Sequence, residues 1–349
     1  MKIGTFKINT GRTLVVAEIG VNHDGSAGRA LALVDAAKSA GADAVKLQVF
    51  RAATLMHPSC QFAAYQQGRA QQADPIAMLR AFELDDSDLR VIADHARSVG
   101  LGVVATPFSP SDVARVVAIG SDAIKIASPD LINVPLLRAA MASALPLIVS
   151  TGASEMGEIE GAVQLLAGGR AAVCLLHCIS AYPTHDGDAR LAWIGQMRGA
   201  FGLPVGYSDH TCHPLAGALA VAAGACVVEK HLTYDRDAPG PDHSASLDAA
   251  QFAEYVAAIR VAEAMRGGGT RSVLPCERDV REVSRQSLVT RVALRAGDAI
   301  TAAALTTQRP GTGIPASAVD DVAGLHAARD LPAGTLLLPD MIVGWSVAA

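Results

Sequence analysis

Gly206-Tyr-Ser-Asp-His210 and Val227-Val-Glu-Lys-His231 are two short strand-like runs that each stop on a histidine, with a helix-length stretch between them. If they are neighbouring parallel strands, both imidazoles emerge at the same end of one sheet. Adjacent strands lie about 4.8 Å apart, so two such rings could share one metal ion. Across the chain, eight apolar strand candidates appear, at 14–19, 44–50, 102–107, 123–127, 146–150, 172–178, 204–208 and 226–231. Most are near-continuous Val/Ile/Leu/Ala runs, the pattern of parallel strands buried on both faces. Helix-length stretches separate them. Those at 27–40 and 87–99 run into Gly41 and Gly100, as helix C-caps do. Eight such units in about 265 residues match a (β/α)8 TIM barrel. A doubly wound open sheet would be the alternative, but no Gly-x-Gly-x-x-Gly turn follows the first strand. The fold class is therefore α/β, a barrel over 1–266.

Residues 3–8 and 13–16 around Asn9-Thr10-Gly11 read as a hairpin that could plug the bottom of that barrel. After Met265 the texture changes. Gly267-Gly268-Gly269 and the polar run to Arg285 read as a linker over 267–285. From 286 to 349 a weak internal repeat appears: Leu294-Arg-Ala-Gly297 recurs as Leu331-Pro-Ala-Gly334, and Ile300 and Leu305 as Leu337 and Ile342. Two copies of one small β-rich unit, packed pseudo-symmetrically, would produce it.

Half the residues are apolar, so a large core is available. A net charge of −5 argues against a nucleic-acid partner, because no basic surplus neutralises phosphates. The first ten residues lack the apolar run of a signal peptide. The longest small-apolar stretch, 215–228, is too short to suggest a membrane span. Six cysteines fall at no disulfide-framework spacing. The expectation is a cytoplasmic protein with free thiols.

Barrel active sites sit at the C-terminal strand ends, and those ends are unusually polar here. Reading them in order gives Glu18, Lys46 with Gln48, Thr106, Lys125 with Ser128, Ser150, His177 with Ser180 and Tyr182, Ser208 with His210, and Glu229 with His231. A single strand lysine is ordinarily an edge residue reaching for water. Two inside apolar strands need compensation, since a buried unpaired ammonium costs several kcal/mol or more. A bound anion would supply it. The hydroxyls of Thr106, Ser128, Ser150 and Ser208 are singly read as helix caps; together with two lysines they form a cradle for phosphate or carboxylate. His177 could equally be a core histidine, and Cys212-His213 reads as the start of the next helix. Glu18, Glu229 and Asp242 offer carboxylates for proton transfer. The set suits an anionic substrate reacting with a metal-polarised carbonyl.

Ten stretches in order carry a resemblance. They are Ala17-Glu-Ile-Gly-Val-Asn-His-Asp-Gly25, Val45-Lys-Leu-Gln48, Ala105-Thr-Pro-Phe-Ser109, Ile124-Lys-Ile-Ala-Ser128, Ser150-Thr-Gly152, Leu176-His-Cys178 with Tyr182-Pro-Thr184, Gly206–His210, Glu229-Lys-His231, Pro239–Ser246, and Arg309-Pro-Gly-Thr-Gly313. The chain resembles the sialic acid (N-acetylneuraminate, nonulosonic acid) synthase family, transferases that condense phosphoenolpyruvate with an N-acyl amino sugar. The tail resembles the antifreeze-like (SAF) domain of those enzymes. The resemblance implies that His210 and His231 hold a divalent metal, manganese or magnesium. It implies that Lys46, Thr106, Lys125, Ser128, Ser150 and Ser208 bind phosphoenolpyruvate, that Gln48, Tyr182 and Asp242 contact the open-chain sugar, and that Glu18 handles a proton. Arg309 would come from a partner subunit in a domain-swapped homodimer. Ser180 stands where some members carry Asn, so the sugar is N-acetylmannosamine or a 2,4-diacetamido sugar leading to legionaminic or pseudaminic acid. The stretch Asp242-His-Ser-Ala-Ser246 leans toward the neuraminate branch. Competing readings are a synthase acting on a phosphorylated tetrose or pentose, which the tail argues against, and a barrel kept as a non-catalytic scaffold.

Overall fold

The computed structural model describes residues 1–8, 10–62 and 74–345. The chain divides into two units, Met1–Gly268 and Gly269–Ala349. In the first, eight parallel strands close a barrel: β3 (Leu14–Glu18), β4 (Ala44–Val49), β5 (Gly102–Pro107), β6 (Ala123–Ile126), β7 (Leu147–Ser150), β8 (Val173–Cys178), β9 (Val205–Asp209) and β10 (Val227–His231). Each pairs with its sequence neighbour, and β10 closes onto β3. The strand ends fall close to the ends of the apolar runs. Side chains of Ser26, Asp85 and Ser109 cap the helices Ala27–Ser39, Asp86–Ser98 and Pro110–Ala118.

Strand alternation sorts the residues into two sets. Val15, Ala17, Val45, Leu47, Val103 and Ile124 point outward into the large core under the helices. Their neighbours point inward. At the N-terminal end these are apolar: Leu14, Val16, Ala44, Val104, Ile148 and Leu176 pack together. Two residues further up the same faces stand Glu18, Lys46, Ser150 and Cys178. The lower barrel is thus a filled core and the upper barrel is polar, which confines the chemistry to one mouth.

The N-terminal hairpin exists, but its turn differs from the sequence expectation. β1 (Lys2–Ile3) pairs with β2 (Phe6–Lys7), so the chain reverses at Gly4-Thr5, where Gly4 has φ +54°; Asn9 lies outside the described residues. Ile3 and Ile8 are buried against the lower barrel residues, so the segment closes the bottom.

In the second unit, β11 (Ser287–Thr290) pairs with β12 (Leu305–Gln308) and β13 (His326–Ala327) with β14 (Ile342–Val343). The sequence repeat is visible as packing. Leu294, Ile300 and Leu305 share one core with Leu331, Leu337 and Ile342. Leu294 and Leu331 exchange backbone hydrogen bonds, each 2.8 Å. Gly297 and Gly334 hold matching left-handed turns at φ +87° and +83°. Within 267–285, the short helix Arg278–Ser284 forms and groups with this unit. Among the described residues, all six cysteines are free thiols and no helix is long and apolar enough to cross a membrane.

Candidate active site

A cavity of about 510 Å³ opens at the C-terminal mouth of the barrel. Thirteen residues singled out from the sequence line it: Lys46, Gln48, Thr106, Lys125, Ser128, Ser150, Ser180, Tyr182, Ser208, His210, Glu229, His231 and Asp242. They come from β4 through β10 and the loops that follow, and meet because every one occupies an inward position or a loop above it. Glu18 does not line the cavity. It lies fully buried, with Lys46 Nζ 2.6 Å from its Oε2 and Gln48 donating to Oε1 at 3.3 Å. Arg309 stands exposed in the second unit, after β12.

The floor is a network of paired charges. Glu229 Oε1 accepts from Lys46 Nζ at 2.8 Å and from Ser208 Oγ at 3.1 Å, with Lys125 Nζ 3.8 Å away. Burial favours a neutral Glu229, but Lys125 and Lys46 outweigh it and bring its carboxyl down to about 2. Burial also pulls Lys46 down to about 8; Glu229 opposes this and Lys125 adds to it. At neutral pH both remain charged. Their mutual pairing explains how ammonium groups are tolerated inside a barrel.

Several buried polar atoms in the wall have no hydrogen-bond partner: Thr106 Oγ1, Ser150 Oγ, Glu229 Oε2 and His231 Nδ1. Such atoms cost about 1–3 kcal/mol each when left dry, so they mark where ligand or water atoms belong. None of the four strand-end hydroxyls caps a helix among the described residues. Ser128 Oγ instead accepts from Gly152 N at 3.0 Å, and Ser208 serves Glu229. Gly152 is required here: a Cβ would lie 2.3 Å from Ser180 Oγ and 2.9 Å from Ser128 Oγ.

The two imidazoles have ring centres 5.6 Å apart, with Tyr182 4.0 Å from His210 and 5.9 Å from His231. His210 Nδ1 lies 2.7 Å from the Ile179 carbonyl. A carbonyl only accepts, so Nδ1 carries a proton, and in the neutral ring Nε2 keeps its lone pair. Burial alone would lower His210, but the Cys178 sulfur at 3.7 Å and the Ile179 carbonyl hold it above its ordinary value. His231 is held well below by burial and by positive neighbours, so its ring is neutral. Asp242 Oδ2 lies 3.6 Å from His231 Nδ1, and burial raises the carboxyl to about 6, with His210 and Lys46 opposing. Among the described residues no three His, Cys, Asp or Glu side chains converge as a closed cage. Two imidazoles lining one cavity fit an open cation site, its other positions left to water and substrate oxygens.

One side of the cavity is apolar, formed by Phe50, Leu55, Met56, Met78, Leu79 and Phe108. Phe50 and Phe108 meet edge to face at 5.9 Å. Sequence reading does not reveal this wall, because most of its members come from the long connection between β4 and β5, which lies outside the strand–helix repeat. One further residue, Cys178, is missed at the sequence level, and the part played by another, Glu229, is misread. Strand-end position casts Glu229 only as a proton carrier, yet its inward parity with His231 makes it the hub of the lysine pair. Cys178 lines the cavity beside His210, and the inward parity of Cys174, Leu176 and Cys178 is the signal that identifies it. His177 takes the opposite parity. It points out of the barrel, bonded to the Ala189 carbonyl at 2.8 Å and stacked on Tyr207 at 5.7 Å, a core histidine. In the stretch 242–246 only Asp242 reaches the cavity. His243 binds Thr233 and Asp24, and Ser246 binds Asn22 and the Asp242 carbonyl. These are braces, so they carry no preference for the neuraminate branch.

The NeuB family model matches residues 33–271, and the SAF domain model matches 285–343. The chain is 38% identical over 330 residues to the N,N'-diacetyllegionaminic acid synthase of Legionella pneumophila, spanning 93% of each chain. The structure of N-acetylneuraminic acid (sialic acid) synthetase from Leptospira borgpetersenii aligns with a TM-score of 0.73 at 30% identity, over 80% of this chain and 94% of that one. A putative spore coat polysaccharide biosynthesis protein E from Chromobacterium violaceum aligns with a TM-score of 0.82 at 26% identity, over 95% and 99%.

Proposed function

The chain belongs to the NeuB family, and from that premise we propose that it condenses phosphoenolpyruvate with an open-chain 2,4-diacetamido-2,4,6-trideoxyhexose and water, giving a nonulosonic acid and phosphate. The observation that carries the reading is the pairing of one polar wall with one apolar wall in a single cavity. Lys46, Lys125 and the hydroxyls of Thr106, Ser128, Ser150 and Ser208 suit the phosphate and carboxylate of phosphoenolpyruvate. Unpartnered Thr106 Oγ1 and Ser150 Oγ are donors awaiting such oxygens. The apolar side favours methyl groups. A diacetamido-trideoxy sugar presents three, whereas N-acetylmannosamine presents one together with a C6 hydroxyl. Burying that hydroxyl without a partner costs about 1–3 kcal/mol. The Legionella relative, named for a diacetylated product, supports the same choice.

His210 and His231 would hold a divalent cation, manganese or magnesium, whose Lewis acidity activates an aldehyde. The remaining work falls to the chain itself. Gln48, Ser180 and Tyr182 orient the sugar over phosphoenolpyruvate. C3 adds to the aldehyde carbon, and C2 becomes electron-poor as its π electrons form the new bond. Glu229, with its carboxyl at about 2, is a weak base, so its part is electrostatic: it faces the positive charge on C2. Water adds at C2. Asp242, raised to about 6 beside His231, moves the proton that this water loses toward the new alkoxide. The C2 hydroxyl then gives up its remaining proton to the departing phosphate as the C2=O bond forms and the C2–O bond to phosphate breaks with its electrons on the leaving group, whose charge Lys46 and Lys125 neutralise. Glu18, 2.6 Å from Lys46 Nζ, keeps that ammonium aimed. Arg309, supplied by a second copy in a domain-swapped homodimer, would contact the N-acyl group.

The test is phosphate release from phosphoenolpyruvate with manganese, offering each sugar separately, with His231→Ala as control. Higher kcat/KM for the trideoxy sugar, lost in the variant, is the expected result. Equal or higher kcat/KM for N-acetylmannosamine would overturn the substrate choice, and release with neither would overturn the activity.

A further inference from the structure

Lys230 and Asp209 lie side by side in the register of β10 and β9, each one residue before a site histidine. Strand parity turns both away from the cavity, into the layer between barrel and helices. Both are completely buried. Lys230 Nζ contacts the carbonyls of Asp209 at 3.4 Å, Ala245 at 3.5 Å and Thr211, and lies 3.6 Å from Asp209 Oδ2. Asp209 in turn accepts from Tyr255 Oη at 2.7 Å and from Thr211 N at 2.8 Å. One ammonium therefore ties the backbone before His210, the backbone after it, and the turn that begins at Asp242. From the other side Asn22 Nδ2 holds Ser246 Oγ, which donates to the Asp242 carbonyl.

A buried ion pair adds little to stability by itself, because apolar side chains of like volume generally do as well. What such a pair supplies, and methionine cannot, is a fixed set of carbonyl contacts. We infer that Lys230, with Asp209 and Tyr255, is a positioning device that sets the spacing of His210, His231 and Asp242 for a bound cation. It rests on the reading that those histidines hold one. Second-sphere partners of this kind typically change metal affinity 10–100-fold when removed.

The experiment compares wild type, Lys230→Met, Asp209→Asn and the double variant Asp209→Asn/Lys230→Met. Single substitutions strand one buried charge and put folding at risk; the double variant strands none and keeps the volume. Manganese binding is read by electron paramagnetic resonance, phosphoenolpyruvate binding by calorimetry without metal, and amide hydrogen exchange without metal. The double variant is expected to melt near wild type and to bind phosphoenolpyruvate within about twofold of it. Its manganese affinity is expected to fall at least about tenfold, with faster exchange at 210–213 and 242–247 alone. Tyr255→Phe is expected to give a smaller loss in the same direction. A folded double variant with wild-type manganese affinity and unchanged exchange would overturn the inference. A wild type that binds no manganese would remove the cation reading instead, and the exchange pattern would then decide the brace by itself.

Discussion

Replacing Glu229 by Gln removes one buried negative charge and nearly nothing else. The amide oxygen can still accept from Lys46 and Ser208, which bond Glu229 at 2.8 and 3.1 Å. Two buried ammonium groups are then left with Glu18, which contacts Lys46. The displacement of Glu229 from 4.5 to about 2 sets the scale. At 1.36 kcal/mol per pKa unit this is about 3 kcal/mol of preference for the charged form, in line with the usual cost of breaking a buried pair. For a depressed carboxyl, that stability is fully present above pH 4.5 and lost as pH falls toward about 2, so a measurement at pH 7 sees all of it. Urea denaturation of Glu229→Gln should therefore show a loss of about 3 kcal/mol in the barrel transition. Phosphoenolpyruvate should bind the variant more tightly than wild type, because the carboxylate that competes for Lys46 and Lys125 is gone. Turnover should still fall by about 10²–10³, the usual loss when one preorganised charge leaves a transition state. Calorimetry and steady-state kinetics on the same preparation check both effects. Binding weakened about tenfold or more (roughly 1.4 kcal/mol) would rule this picture out, since it would mean Glu229 aims the lysines rather than competing for them.

Lys46, held near 8 chiefly by burial, should make metal-free phosphoenolpyruvate affinity fall as pH rises through about 8, and Lys46→Arg should flatten that limb; an affinity level to well above that pH in wild type would contradict it. Because the folded value is depressed, charging Lys46 costs stability below pH 8, and stability from this group rises between about 8 and 10.5. Gly152→Ala should displace Ser180 and Ser128 by steric contact and raise KM at least about tenfold with little loss of melting temperature, read by kinetics beside thermal unfolding. Ile3→Ala should cost about 2–4 kcal/mol by opening the plugged end, read by urea denaturation, yet leave kcat unchanged, because Ile3 packs with the lower barrel residues.

The strands are legible because burial on both faces writes them as continuous apolar runs. The mouth is legible because the polar residues interrupt those runs at one end. Parity carries more than strand-end position does: His177 and Cys178 are adjacent, and only the alternation from Cys174 shows that the cysteine, not the histidine, faces the cavity. The hairpin of β1 and β2 turns at Gly4-Thr5, with Ile3 and Ile8 both on the barrel floor, a tertiary demand that local turn chemistry does not reveal. The brace of Lys230 and Asp209 is invisible for a similar reason. Its partners are backbone carbonyls at 209, 211 and 245, and backbone groups leave no mark in a sequence. The apolar wall draws on a connection that stands outside the strand–helix rhythm altogether.

Everything proposed for the site depends on carbon–carbon bond formation at C3 being followed by cleavage of the C–O bond. The decisive experiment runs the reaction on phosphoenolpyruvate carrying oxygen-18 in the bridge between C2 and phosphorus. The expected result is the label in the released phosphate, and unlabelled water oxygen at C2 of the nonulosonic acid. Label retained at C2 of the product would mean that the P–O bond breaks instead, and would leave Glu229 without the C2 charge it is proposed to face.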